Sequence, residues 1–182
     1  AFVRCPFARC LTMVKRGQAD MILGLLKRPD REKDLIFLEP PYMIQHYPLR
    51  FYTLAEKSIA IDNFDDLKPL SVGVLRGASY FDLFDQDNSI KKVELTARPQ
   101  LVQMLLRGRI DTFLEREESI LPLLPAHEYQ QKLSLANYQY SQAVNSFIAI
   151  SKHSEVSVYA DELSSEIARL IKNGTIEQVR KK

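Results

Sequence analysis

Two stretches of this chain repeat one another. Residues 13–23 read MVKRGQADMIL and residues 104–114 read MLLRGRIDTFL. At a shift of 91 positions, Met13, Arg16, Gly17, Asp20 and Leu23 fall on Met104, Arg107, Gly108, Asp111 and Leu114. Each copy has the same physical grammar. An amphipathic helix stops at a glycine, the residue that most readily takes the left-handed conformation closing a helix. An aspartate follows, and then an apolar run that reads as a strand. The first helix carries Phe7, Cys10, Leu11 and Val14 on one stripe, the second Leu101, Met104 and Leu105. A chain built on two copies of such a unit is expected to fold as two α/β lobes.

The remaining elements fit this alternation. Residues 70–77, LSVGVLRG, read as a buried strand stopping at a glycine, and Ser79 with Asp82 three residues on reads as a capping-box helix start. Residues 146–151, SFIAIS, read as a short strand. The segment after it sets Tyr159, Leu163, Ile167, Leu170 and Ile171 on one helical face, with Gly174 as its stop. Helices between buried strands predict an α/β fold with mostly parallel sheets.

Composition narrows the function. Apolar residues make up 46% of the 182, enough for a packed core. With 25 basic against 23 acidic residues, the net charge of +2 argues against a dedicated nucleic-acid binder. No apolar run approaches the ~20 residues of a membrane span, so direct membrane insertion is not expected. His46, His127 and His153 lie far apart without metal-ligand spacing, and no cofactor motif or nucleophile triad stands out. The two cysteines, Cys5 and Cys10, are too few for a metal site. If Cys5 caps the helix holding Cys10, their Cα atoms stand about 8–9 Å apart. Bridged cysteines sit closer than about 7 Å. Cys10 also aligns with Leu101 in the repeat, so it reads as a small apolar core residue rather than half of a disulfide.

The ordered set of segments resembles the extracytoplasmic solute-binding proteins of family 3, the amino-acid type. Residues 13–32 resemble the first-lobe helix, strand and loop, and FLEPPY at 37–42 stands where the family has Phe-Ser-x-Pro-Tyr. LKPLSVGVLRGASY and LLRGRIDTFLE resemble second-lobe units, and SFIAISKHSE with IKNGTIEQVRKK the return strand and closing helix. The resemblance implies a two-lobed type II periplasmic-binding-protein fold, each lobe a mostly parallel sheet flanked by helices. It places lobe 1 at residues 1–50 and 147–182 and lobe 2 at 51–146, with hinges near YPLRFYTL and YSQAVNS. Family members begin with a further strand and helix, so the first lobe is expected to be incomplete at its N-terminus.

The resemblance also implies ligand chemistry. The family closes a cleft between its lobes on small polar solutes, in a flytrap motion. Arg31 matches the arginine that holds an α-carboxylate, a task suited to its planar fork. The alternative is a solvated arginine paired with Asp30 or Glu32. Gly77, Ala78 and Ser79 match a turn whose backbone N–H groups point at the same carboxylate. Amino-acid binders place an aspartate for the ligand's ammonium where this chain has Arg116, flanked by Glu115 and Glu117. Arginine has no acceptor capacity. Either a glutamate serves through a shifted register, or the ligand has no ammonium there and is an anion such as a dicarboxylate. Tyr42 is a candidate cleft wall or a packing residue. Lys27 and Arg76 read as solvated charges near the site.

The expected function is binding of an amino acid or related carboxylate in the periplasm, without enzymatic activity, for delivery to the permease of an ABC-type transporter. The alternatives are a ligand-sensing extracytoplasmic domain of a receptor and, further off, a dehydratase-like enzyme using Glu115 or Glu117.

Overall fold

The structure, a computed structural model, describes residues 1–123 and 131–180. His127 lies outside the described residues. The chain forms two compact units: residues 1–5, 9–45 and 143–182 in the first, and 6–8 with 46–142 in the second.

The repeat seen in the sequence is present as structure, element for element. Helix α1 (Phe7–Lys15) and strand β1 (Met21–Leu25) correspond residue for residue to α4 (Arg98–Leu106) and β7 (Thr112–Arg116). Both helices end on a left-handed glycine, Gly17 at φ 69° and Gly108 at φ 63°. In each, the glycine N–H donates three residues back, to Val14 O and Leu105 O. The next N–H donates five back, to Met13 O (2.8 Å) and Met104 O (2.9 Å). This is the paired bonding that satisfies a helix's last carbonyls. The aspartates are equivalent too. Asp20 Oδ1 accepts from Ser154 Oγ and Asp111 Oδ2 from Ser71 Oγ, both at 2.6 Å, tying each helix–strand corner to a neighbouring segment.

In the first unit β1 is followed by α2 (Pro29–Glu32), β2 (Leu35–Phe37) and β3 (Met43–Gln45). The chain returns in β9 (Val144–Ser151), a 3-10 turn at Glu155–Tyr159, and the helices α6 (Ala160–Lys172) and α7 (Thr175–Arg180). Strand β9 lies between β1 and β2 and also pairs with β3, antiparallel in every case. The expected mostly parallel sheet is therefore corrected for this unit. A strand that re-enters the sheet from the opposite direction separates β1 from β2, so their common direction never yields a parallel ladder. Helix α6 places Ile167 on the sheet against Leu38 and Ile150.

The second unit contains β4 (Leu49–Leu54), β5 (Ser71–Leu75), α3 (Asp82–Gln86), β6 (Lys91–Leu95), α4, β7, α5 (Glu117–Ile120) and β8 (Leu133–Tyr140). Its sheet order is β6-β5-β7-β4-β8. Strand β5 is parallel to β6 and β7, while β4 is antiparallel to β7 and β8. One face packs Phe51, Phe81, Phe84 and Leu114, with Phe81 stacked on Tyr140 at 4.2 Å. The other packs Leu101, Leu105, Phe113 and Tyr52 under α4. Two core faces on one mixed sheet mark the α/β layer architecture.

The expectation for the cysteines is overturned. Cys5 and Cys10 form a disulfide with Cα atoms 5.6 Å apart. Helix α1 begins at Phe7, beyond Pro6, so Cys5 is not its cap and folds back over the first turn. Reduction, or a Cys5→Ser/Cys10→Ser double variant, is expected to cost about 2 kcal/mol, the loop-closure value for so short a loop. Denaturant melts of oxidised and reduced protein measure the difference, and coincident curves would show that the bridge carries no stability.

Candidate functional site

Arg31 sits in α2, a single turn that Pro29 starts at a position where no N–H is needed. The residue is only 3% exposed, which removes the reading of a solvated loop arginine. Its Nη1 donates to Leu26 O at 2.9 Å, fixing the direction of the guanidinium plane. Its neighbour Arg28 takes the ion pair with Asp30, Nε to Oδ1 at 3.6 Å. A buried guanidinium is costly unless its donors find partners, and its planar fork suits a carboxylate.

The other first-unit candidates are less committed to ligand chemistry. Lys27 is exposed, with Nζ 2.9 Å from Glu39 Oε1 and 3.5 Å from Glu32 Oε1. The hydrogen bond to Glu39 raises its pKa above the usual lysine value. Tyr42 packs on Leu38, Ile150 and Ile167. A groove of about 550 Å³ runs along β1, lined by Phe2, Val3, Met13 and the Cys5–Cys10 bridge, and holds none of the expected site residues.

In the second unit the turn after β5 differs from the expectation. Helix α3 begins at Asp82, and Phe81 occupies its N-cap position without a side-chain cap, so Ser79 does not start the helix. Asp85 accepts the N–H of Tyr80 at 3.1 and 3.2 Å, tying the segment ahead of the helix to its first turn, and Phe81 between them is extended. The Ala78 N–H donates to Leu75 O at 3.0 Å, so it is spent within the turn. Gly77 provides the positive φ, 75°, that the turn requires. Tyr80 is buried, and its hydroxyl accepts the N–H of Leu75 at 2.8 Å. Burial, with Glu115 nearby, pushes the phenol's pKa far up.

Charges gather where β7 ends, beside the end of its parallel neighbour β5. In open α/β sheets ligands bind beyond the carboxyl ends of the strands. Glu115 is 3% exposed, and its Oε1 lies 3.1 Å from Arg98 Nε. Arg116 is 7% exposed, and its Nη1 donates to Tyr47 O. Glu117 Oε2 lies 3.9 Å from Arg50 Nη1. Arg76 is exposed and paired with Glu94 at 3.1 Å. The second unit thus brings Glu115, Arg98 and Tyr80 together, while Arg116 interacts with Glu118 and Glu115 and with the Tyr47 carbonyl. Arg98, the first residue of α4, and Tyr80 were missed by sequence reading. The signal for Arg98 was its place at the head of the repeated helix, where the first copy has Phe7.

Burial pushes the Glu115 carboxyl above the ordinary carboxylate range, offset in part by Arg98 and the Arg116 N–H. A raised folded-state pKa means the folded chain holds this proton more tightly. Its contribution to stability is therefore full below the unfolded value of about 4.3 and is lost as pH rises through the folded value. Glu115→Gln is expected to lack that decline and to gain on wild type as pH rises, even though Arg98 Nε, buried beside it, loses its ionised partner. Melting temperatures between about pH 4 and 8 decide it. A variant less stable at neutral pH would show that the ion pair outweighs the burial.

Among the described residues no group of three or more His, Cys, Asp or Glu is placed to hold a metal ion. None of the described helices is long and apolar enough to cross a membrane. The sequence matches no protein-family model. The structure is similar to solved binding proteins. One is a mutant of ArgBP from T. maritima, at TM-score 0.78 and 18% identity over 97% of this chain and 74% of that one. Another is an arginine 3rd transport system periplasmic binding protein from Legionella pneumophila, at 0.78 and 18% over 100% and 79%. A third is an amino acid ABC transporter substrate-binding protein from Streptococcus pneumoniae bound to L-arginine, at 0.76 and 19% over 98% and 73%. The chain has the type II periplasmic-binding-protein fold.

Proposed function

We propose that this protein binds a small carboxylate-bearing solute, an amino acid or a related acid, and delivers it to a membrane permease of the ABC type. The observation that carries the reading is Arg31, a guanidinium 3% exposed on a one-turn helix and oriented by the Leu26 carbonyl. A planar guanidinium fork of this kind matches the geometry of a carboxylate. The fold adds support, since solved proteins that share it are named for amino-acid and arginine binding. The Cys5–Cys10 bridge favours an oxidising, extracytoplasmic setting. Catalysis has less to stand on, because Glu115 and Glu117, the acid–base candidates, each lie beside an arginine.

The test is a thermal-shift screen against amino acids and dicarboxylates. A ligand at a hundred times its Kd stabilises the folded state by about 2.7 kcal/mol, a readily measured rise. No shift with any carboxylate at millimolar concentration would reject the reading.

A further inference from the structure

Neither half of the Cys5–Cys10 bridge lies in the core. Both cysteines are half-buried, and both line the groove of about 550 Å³ beside β1, together with Phe2, Val3 and Met13. That volume falls within the roughly 300–1,000 Å³ of sites that hold small molecules. All of these residues belong to the first compact unit. The bridge joins residues only five apart, so the chain entropy it removes is at the low end for disulfides. Bridges that solvent reaches are the labile ones, open to exchange with thiols.

The two sulfurs are not equivalent. Cys10 stands within α1, and its Sγ lies 3.1 Å from the Cys5 carbonyl oxygen. An oxygen so close disfavours negative charge on that sulfur. Cys5 precedes the helix, at the end where the helix dipole favours an anion. Arg4 and Arg9, each exposed and each next to a cysteine in the chain, supply positive charge that draws an incoming thiolate. The better-stabilised thiolate is the one that leaves, so Cys5 departs and Cys10 is attacked.

We propose that the Cys5–Cys10 bridge is a thiol-exchange site, taking a low-molecular-weight thiol as a mixed disulfide on Cys10. The incoming thiol gives up its proton, and its sulfur bonds to Cys10 Sγ as the Cys5–Cys10 bond breaks. Cys5 leaves as a thiolate and takes up that proton, so the incoming sulfur is oxidised and the Cys5 sulfur reduced. A second thiol releases the first as a small disulfide and frees Cys10. The thiol itself is the reductant throughout. This site does not depend on the carboxylate reading above.

The test is incubation of the folded whole chain with reduced glutathione, followed by alkylation of free thiols and mass spectrometry of tryptic peptides. Trypsin cleaves after Arg4, Arg9 and Lys15, so residues 5–9 and 10–15 separate and each cysteine is read alone. The expected result is glutathione on residues 10–15 and the alkyl group on residues 5–9. It is expected to form in the folded protein at a rate within about tenfold of that in guanidinium chloride. Circular dichroism establishes that the protein stays folded during the exchange. Glutathione chiefly on residues 5–9, or equally on both peptides, overturns the assignment to Cys10. A folded-state rate slower than that tenfold window shows a shielded bridge and overturns the exchange site. So does alkylation of both cysteines before any glutathione is added, because the bridge is then absent.

Discussion

Alanine at position 31 is expected to weaken carboxylate binding by about a hundredfold or more, with a smaller loss of stability. Two parallel charge-assisted hydrogen bonds to a desolvated carboxylate are together worth about 3 kcal/mol or more, and each 1.4 kcal/mol is a factor of ten. The stability loss arises because Nη1 no longer satisfies the Leu26 carbonyl. Arg31→Lys separates the two effects. It keeps the positive charge and loses the fork, so binding is expected to stay well below wild type. Titration calorimetry on both variants, after melting curves establish that they are folded, measures this. Affinity unchanged in Arg31→Ala would remove the residue from the binding site.

The second large effect concerns the fold. Gly73, in the middle of β5, lies under α4, where any added side chain meets buried atoms. A Cβ built there would stand 2.6 Å from Ile110 Cδ1, 3.1 Å from Leu101 Cδ2 and 3.2 Å from Phe113 Cβ. All three residues are at most 1% exposed, and the Phe113 Cβ is anchored to the neighbouring strand. Isoleucine's terminal methyl can turn aside, so Gly73→Ala is expected to cost about 1–2 kcal/mol. Gly73→Val adds two further methyl carbons and is expected to cost about 3 kcal/mol, lowering the melting temperature by roughly 10 °C. A valine variant melting with wild type would show that α4 does not rest on β5.

What could be read from the residues alone was what depends on local periodicity. The glycine-stopped helix and following strand occur twice with identical bounds, because stripe, stop and apolar run are all written within one window. Pairing partners were not legible. The antiparallel placement of β9 between β1 and β2 depends on residues more than a hundred positions apart meeting in register, such as Leu35 with Ser151. Nothing in the SFIAIS run marks its direction in the sheet. The helix start at Ser79 failed for a local reason of another kind. Asp85 bonds back to the Tyr80 N–H, and that side-chain contact displaces the start to Asp82.

The candidate site shows the same division. Arg31 was found from its loop context, but its burial depends on the surrounding fold and carries no mark in the sequence. The bridge between Cys5 and Cys10 is not legible from helical spacing, because Cys5 lies off the helix, which begins only at Phe7. Arg98 approaches Glu115 only because α4 packs over β7, and its partner is not evident from spacing.

Recognition of a carboxylate is the central property proposed for this protein. Titration calorimetry of the folded wild-type chain against dicarboxylates and amino acids tests this most directly. The predicted result is saturable one-to-one binding of at least one carboxylate with a Kd of about 10 µM or tighter, lost in Arg31→Ala. Absence of binding heat from every carboxylate at millimolar concentration, with the protein folded, would contradict it.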